Sequence, residues 1–294
     1  MKRCESDSGA SMLFGIIVAG SYLVFPCILL IPRLRWLGKW RQFALLILCG
    51  MFVWMRFVEP YWIVTRNTTI KVGFSARLAL VADLHLGQHK KAAFLKQVVN
   101  RVNESDVDFL LIAGDFCYRP DRLRLAEILD PLKQLKVPAF AVLGNHDVQR
   151  PGPPIRQELA AALEQVGVRL LNNESARLGS FTLLGLGDHW NCEDDVRLID
   201  QFSTSEHLVV MTHNPDTTMR FTDSNADLTL CGHTHGGQVR IPFLYQSVIP
   251  TRGSFDRGLM QLGVTQLFVT SGLGEVGFPL RLFNPPVIDL LELK

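Results

Sequence analysis

Five short apolar runs in this chain each end abruptly in a cluster of Asp, Asn and His, and few folds accommodate that pattern. Leu78 to Ala82 leads into Asp83 and His85, and Leu110 to Ala113 leads into Gly114 and Asp115. Val142 and Leu143 lead into Gly144, Asn145, His146 and Asp147. Val209 to Thr212 delivers His213 and Asn214, and Leu228 to Cys231 delivers Gly232, His233 and His235. Brief apolar runs punctuated by glycine are what strands covered on both faces look like. If all five are strands of one layered domain, their polar clusters fall beyond the carboxyl ends, where such folds bind ligands.

The remainder of the C-terminal region supports that layering. Further strands are predicted at Ala139 to Leu143, Phe181 to Leu186, Leu267 to Thr270 and Val287 to Leu291. Helical periods run over Ala92 to Val102, Arg122 to Leu135 and Ile155 to Val166, the last two preceded by Asp121 and by the Pro151 to Pro154 breaker. The expectation is an α/β domain over residues 66–294, with two mixed β-sheets packed face to face and helices flanking them.

Residues 1–65 read differently. Met12 to Ile31 is twenty residues without a charge, which at ~1.5 Å per residue reaches across a hydrocarbon core of ~30 Å. It is too long for the core of a signal peptide and is expected to be an uncleaved membrane helix. Pro32 to Arg41 carries Arg33, Arg35, Lys39 and Arg41 beside Trp36 and Trp40, a composition suited to anionic headgroups. Gln42 to Val58 is a second apolar stretch, interrupted by Arg56, and leaves two arrangements open. If both stretches span, the positive-inside rule keeps the basic loop in the cytosol and sends the large domain outside; if only the first spans, the domain stays inside.

The formal charge of +2 is too mild for a nucleic-acid partner. Six cysteines without close pairing indicate neither a disulfide framework nor a zinc knuckle, and are expected as small buried side chains.

The polar clusters supply carboxylates, histidines and an amide oxygen but no thiolate, a donor set for Mn, Fe, Zn or Mg, with Mn favoured. Seven donors exceed the need of one ion with an open position and suffice for two sharing a carboxylate. Such a pair activates water and stabilises charge on a phosphoryl oxygen during in-line displacement.

Taken in order, Asp83-x-His85, Gly114-Asp115, Gly144-Asn145-His146-Asp147, His213 and Gly232-His233-x-His235 resemble the motifs of the calcineurin-like metallophosphoesterases over about residues 76–294. Thr212 to Asp216, Gly232 to Pro242 and Arg281 to Leu291 resemble its membrane-associated bacterial phosphodiesterase branch. The resemblance implies two divalent metal ions: Asp83, His85 and His235 on one, Asn145, His213 and His233 on the other, with Asp115 bridging. It further implies that His146 faces the phosphate as stabiliser or proton donor and that Asp147 orients the His146 ring. Phosphatases of the family often carry Asp and Arg soon after the bridging carboxylate. Here the run is Asp115-Phe116-Cys117-Tyr118-Arg119, which argues against a protein phosphatase and leaves Arg119 as a phosphate contact to be tested.

The resulting expectation is a phosphodiesterase or pyrophosphatase anchored in a bacterial inner membrane, acting on a phosphoester near the bilayer. The preferred substrate is UDP-2,3-diacylglucosamine, cleaved in lipid A synthesis. The alternatives are another cell-envelope or glycerophosphodiester-type substrate, and a metal-binding scaffold without turnover. Phe243, Leu244 and Tyr245 read either as core or as an apolar lip for an acyl chain; His89, His189 and His207 match no motif and are expected in surface or structural roles, with His189-Trp190 lining the cleft as the alternative.

Overall fold

The computed structural model describes residues 8–34, 36–148 and 155–294. Two six-stranded sheets form its centre. The strands are β1 (Val64–Ile70), β2 (Ala76–Val81), β3 (Leu86–Gly87), β4 (Phe109–Ala113), β5 (Cys117–Tyr118), β6 (Ala139–Val142), β7 (Val168–Leu170), β8 (Glu174–Leu178), β9 (Phe181–Gly185), β10 (Leu208–Met211), β11 (Leu228–Cys231), β12 (Gly258–Leu262), β13 (Thr265–Val269) and β14 (Val287–Leu293). One sheet has the order β1-β14-β2-β4-β6-β7 and the other β12-β13-β11-β10-β9-β8, while β3 and β5 pair apart. Both large sheets are mixed: β2, β4, β6 and β7 run parallel, and β14 is antiparallel to β2.

Side-chain alternation explains the layers. Leu78 and Leu80 of β2 pack with Leu183, Val209, Met211 and Leu230 of the facing sheet. Ala79 and Val81, pointing the other way, pack with Phe94, Leu95, Val98 and Val102 of the helix Ala92–Asn103. Leu184, Leu208 and Val210 likewise turn their backs on the first sheet and pack with Ile199 and Phe221. Strands buried on both faces therefore read as unbroken apolar runs.

The strands missed from sequence are mostly at edges. β1, with sequence VTRNTTI, alternates half-buried and exposed positions, and β8 and β12 carry similarly mixed sequences. The helix expected over Arg122 to Leu135 is broken into a 3-10 turn, a short α-helix and a second 3-10 turn, with Pro131 at the last junction. Asp121 caps its start by accepting from the Leu123 N–H. The breaker at Pro151 to Pro154 lies outside the described residues. Of the cysteines, Cys117 and Cys231 are buried as expected, whereas Cys27 and Cys192 are exposed.

Preceding β1 is a pair of helices running in opposite directions. Phe14–Arg33 and Lys39–Tyr61 are each long and apolar enough to cross a membrane. The second is continuous through Arg56 and ends at Pro60. Gln42 bonds the Leu34 carbonyl at one end of the pair, and Tyr22 and Phe25 meet the Phe57 ring towards the other. Their apolar side chains point outward: Ile16, Leu23, Leu29, Phe43, Ile47 and Leu48 are all exposed.

Candidate metal centre

All seven expected metal-binding residues meet at the carboxyl ends of β2, β4, β6, β10 and β11. Each is buried. Five of them, Asp83, His85, Asp115, His233 and His235, have φ between 44° and 71°. Non-glycine residues rarely adopt that region, at a cost of order 1–3 kcal/mol each, so the surrounding loops hold them against their preference. Gly144 shows how closely: a methyl group there would lie 2.1 Å from Asp115 Oδ1.

Asp83, His85 and His235 form one group whose donor atoms lie within 4.8 Å of one another, and Asp83, Asp115 and His213 form another. His213 Nε2 is 3.2 Å and His85 Nε2 is 3.5 Å from Asp115 Oδ2. His235 Nε2 is 3.5 Å from Asp83 Oδ1. His146 also approaches as closely as a ligand, in a third group with His85 and Asp115.

The histidine pairs are the deciding geometry. His213 Nδ1 bonds the Ala113 carbonyl and His235 Nδ1 faces the Gly274 carbonyl, which in the neutral rings places the proton on Nδ1 and the lone pair on Nε2. His233 Nε2 similarly faces the Pro250 carbonyl. His85 Nε2 then lies 3.1 Å from His235 Nε2, and His233 Nδ1 lies 3.1 Å from His213 Nε2. With both rings neutral, the His213 and His233 lone pairs oppose each other, and a proton or a metal cation between them relieves this; His85, whose Nδ1 has no hydrogen-bond partner, faces His235 with either tautomer.

Electrostatics point the same way. Burial, reinforced by Asp115, pushes Asp83 up to about 7. Burial drives His235 down to about 3 and holds His85 and His233 well below the usual imidazole range. Burial also opposes a charge on His213, but the Asp115 and Asp83 carboxylates raise it to about 10. A single proton thus does part of a larger positive charge's work.

A family model described as calcineurin-like phosphoesterase matches residues 76–237. The chain belongs to the calcineurin-like phosphoesterases. It is 30% identical over 267 residues to an uncharacterized metallophosphoesterase of Bacillus subtilis, YkuE, covering 83% of this chain and 90% of that protein. It is 29% identical over 255 residues to the phosphodiesterase YaeI of Escherichia coli, covering 82% and 92%. It is 27% identical over 310 residues to the UDP-2,3-diacylglucosamine pyrophosphatase LpxG of Chlamydia trachomatis, again covering 82% and 92%. Its activity is therefore that of a metal-dependent phosphoester hydrolase.

Within this phosphoesterase the expected role of Asp147 needs correction. Its carboxylate accepts from the backbone N–H groups of Phe116, Cys117 and Gly144 rather than from the His146 ring, whose Nδ1 has no hydrogen-bond partner. Asp147 ties the loop after Asp115 to the loop before Asn145. The His146 backbone N–H donates to Asp115 Oδ1, and its ring stands edge-on to His85 and Tyr118.

The cleft over the centre measures about 330 Å3 and is walled by Trp190, Val248, Pro250 and Val276 around Asp115, Asn145, His146, His233 and His235. Trp190 packs edge-on against His233 with centroids 4.6 Å apart. His189 instead pairs with Asp194 away from the cleft-lining residues. Beside Val248, Phe243 is 94% and Leu244 62% exposed. Tyr245 departs from the expected lip, since its hydroxyl donates to Asp256 and its ring lies under the Arg240 guanidinium. Arg119 lies over the Phe14 and Tyr118 rings and is not among the cleft-lining residues.

Sequence reasoning missed Asp188. It is buried, its Oδ1 has no hydrogen-bond partner, and its pKa is raised by burial against the opposing pull of His213. Its only sequence signal was position: it follows the Gly185 to Gly187 turn after β9, another carboxyl end.

Proposed function

We propose that this chain is a membrane-anchored, two-metal phosphodiesterase acting on a phosphodiester or pyrophosphate borne by a lipid. The observation that carries this reading is the pair of opposed imidazole couples bracketed by Asp83 and Asp115. Asp83, His85 and His235 would hold one ion and Asn145, His213 and His233 the other, with Asp115 placed to serve both. The mixed nitrogen and oxygen donors suit Mn, Fe or Zn, and manganese is the ion supplied in the test below. Two divalent ions bound there supply Lewis-acid polarisation of the phosphoryl oxygen and lower the pKa of water.

The chain's own residues do the rest. His146, buried against Tyr118 and His85, presents its ring to the cleft, where it donates a hydrogen bond to the phosphoryl group and a proton to the leaving oxygen. Asp147 keeps the Asp115 and Asn145 loops in register. Trp190, Val248 and Val276 exclude water from one wall, and Phe243 and Leu244 offer apolar surface to an acyl chain.

The helix pair supports the membrane reading. Its outward apolar surface is covered if a bilayer surrounds it. Aromatic side chains mark both ends, Trp36 and Trp40 at the turn and Tyr61 and Trp62 near the catalytic domain. Arg33, Lys39 and Arg41 sit at the turn, so the positive-inside rule puts the turn in the cytosol and the catalytic domain on the outer face. This orientation favours a cell-envelope phosphodiester. The likeness to LpxG favours UDP-2,3-diacylglucosamine, which requires a cytosolic domain.

Two measurements test the proposal. With Mn2+ supplied, bis(p-nitrophenyl) phosphate should be hydrolysed, and Asp115→Ala and His146→Ala should abolish that hydrolysis; retained turnover in either rejects the mechanism. A reporter fused at Lys294 should be active only outside the cytosol, and a cytosolic signal would restore UDP-2,3-diacylglucosamine as the first candidate.

A further inference from the structure

The end of the second helix is wired into the metal centre. Glu59 lies one residue before the Pro60 that stops the helix, and it is 2% exposed. One of its oxygens, Oε2, accepts from Trp54 Nε1 at 2.7 Å; the other, Oε1, accepts from the Asn284 backbone N–H at 2.6 Å. The Asn284 side chain, fully buried, donates through Nδ2 to the His235 carbonyl at 2.6 Å and accepts from Arg257 at the same distance. His235 is one of the residues held at positive φ, so its backbone needs such an external hold.

A second line runs in parallel. The Met55 carbonyl accepts from the Arg281 backbone N–H at 3.0 Å. The Arg281 guanidinium, wholly buried, donates to the carbonyls of Gly272 at 3.2 Å and Gly274 at 2.6 Å. The Gly274 carbonyl is the one that faces His235 Nδ1. Gly272 presses on Asp83 so closely that a methyl group there would lie 2.6 Å from Oδ2. Both lines reach residues of the Asp83, His85 and His235 group. Among the described residues, the hydrogen bonds of the two lines run to the His235 and Gly274 side of the centre rather than to His213 or His233.

We propose that Glu59 is a positioning residue for the Asp83, His85 and His235 subsite, so that the helix pair builds one half of the metal centre as well as anchoring it. The proposal rests on the two-metal reading above. Residues that orient metal ligands through hydrogen bonds typically contribute ~10- to 100-fold to affinity, and here that contribution falls on one ion of two.

The test uses the full chain in bilayer nanodiscs, dialysed against graded Mn2+ with bound metal counted by elemental analysis. Wild type should bind two ions. Glu59→Ala should keep one at wild-type affinity and bind the other ~10- to 100-fold more weakly. Glu59→Gln keeps an acceptor for the Asn284 N–H but turns an amide N–H towards Trp54 Nε1–H, so it should lose stability while holding the metal affinity closer to wild type than Glu59→Ala does. Asn284→Ala leaves the Glu59 to Trp54 contact intact and should reproduce the Glu59→Ala defect, which keeps the question open to decision if Glu59→Ala does not fold. Two unchanged affinities in Glu59→Ala and Asn284→Ala, an equal loss at both ions, or a Gln variant as defective as Ala would each overturn the proposal. Fewer than two ions on wild type would instead reject the two-metal reading beneath it.

Discussion

Two clusters of buried charged and polar side chains lie on either side of the turn at Gly272 and Gly274, and they are built on opposite principles. At the base of the helix pair, Glu59, Lys90, Glu275 and Arg281 are all 2% exposed or less, two acids against two bases, with Arg56 at 5% beside them. Arg281 Nε bonds Glu275 Oε1 at 3.1 Å, Lys90 Nζ lies 3.5 Å from the same oxygen, and Lys90 also bonds the Pro60 carbonyl. The metal centre gathers Asp83, Asp115, Asp147 and Asp188 around one protonated imidazole, His213, and others held neutral by burial, with no lysine or arginine among its donors. The first cluster sets each of Lys90 and Arg281 against the Glu275 carboxylate and backbone carbonyls; the second crowds carboxylates together without a lysine or arginine. A buried ionic cluster that balances itself is structural, and one that leaves like groups facing each other marks where an ion binds.

The largest expected effect breaks the comparison at the metal centre. Asp115→Ala removes the carboxylate that both halves share, and its turnover should fall by more than the ~10²- to 10³-fold typical of losing one stabilising donor. Its stability with metal chelated should change far less. At the helix base the pattern inverts. Glu275→Ala leaves Arg281 buried without its counter-charge, and should lower unfolding free energy by ~3–5 kcal/mol whether or not metal is present. Denaturant titration of both variants, each with and without chelator, reads the two effects separately. Equal stability losses in the two chelated variants would erase the distinction.

A sharper contrast comes from Asp83. Its folded pKa is raised to about 7 from an ordinary 3.8, chiefly by burial. The folded state therefore holds that proton more tightly than the unfolded one, and stability is lost as pH climbs from about 4 to about 7. Burial-lowered His85, His233 and His235 make stability rise over the same window, so the Asp83 decline is the part that Asp83→Asn should remove from the chelated profile, leaving the variant at least as stable at neutral pH. Removing a carboxylate thus stabilises one cluster and destabilises the other. A decline that persists unchanged in Asp83→Asn would assign it elsewhere.

The same contrast explains what the sequence made legible. The metal centre showed because strand geometry delivers each cluster at a carboxyl end, so Asp83, Asp115, Asn145, His213 and His233 each follow their own apolar run. The helix base did not show, because Glu59 and Asn284 are single polar residues 225 positions apart with no motif around them. Asp147 was placed correctly and given the wrong contact, since adjacency to His146 says nothing about three backbone donors from neighbouring loops. β1 escaped notice because its apolar content is low, and it is held instead by a seven-residue parallel pairing with β14.

The smallest expected effect probes how far the helix base is balanced by Arg281 alone. Burial drives Lys90 down to about 8 from 10.5, despite the Glu275 carboxylate that pulls the other way. The unfolded chain therefore binds this proton more tightly, and stability rises as pH climbs from about 8 towards 10.5. Lys90→Met removes the charge that lies over the Tyr61 and Phe94 rings and sets an apolar chain against them instead. Glu275 retains Arg281, so no buried acid is orphaned, and the variant should fall within about 1 kcal/mol of wild type at pH 7. The difference between the two proteins, followed by denaturant titration of chelated samples from pH 7 to 10, should shift in favour of wild type as Lys90 discharges. A loss at pH 7 as large as that of Glu275→Ala would mean that Glu275 depends on both bases, and that the cluster is balanced as a foursome rather than as pairs.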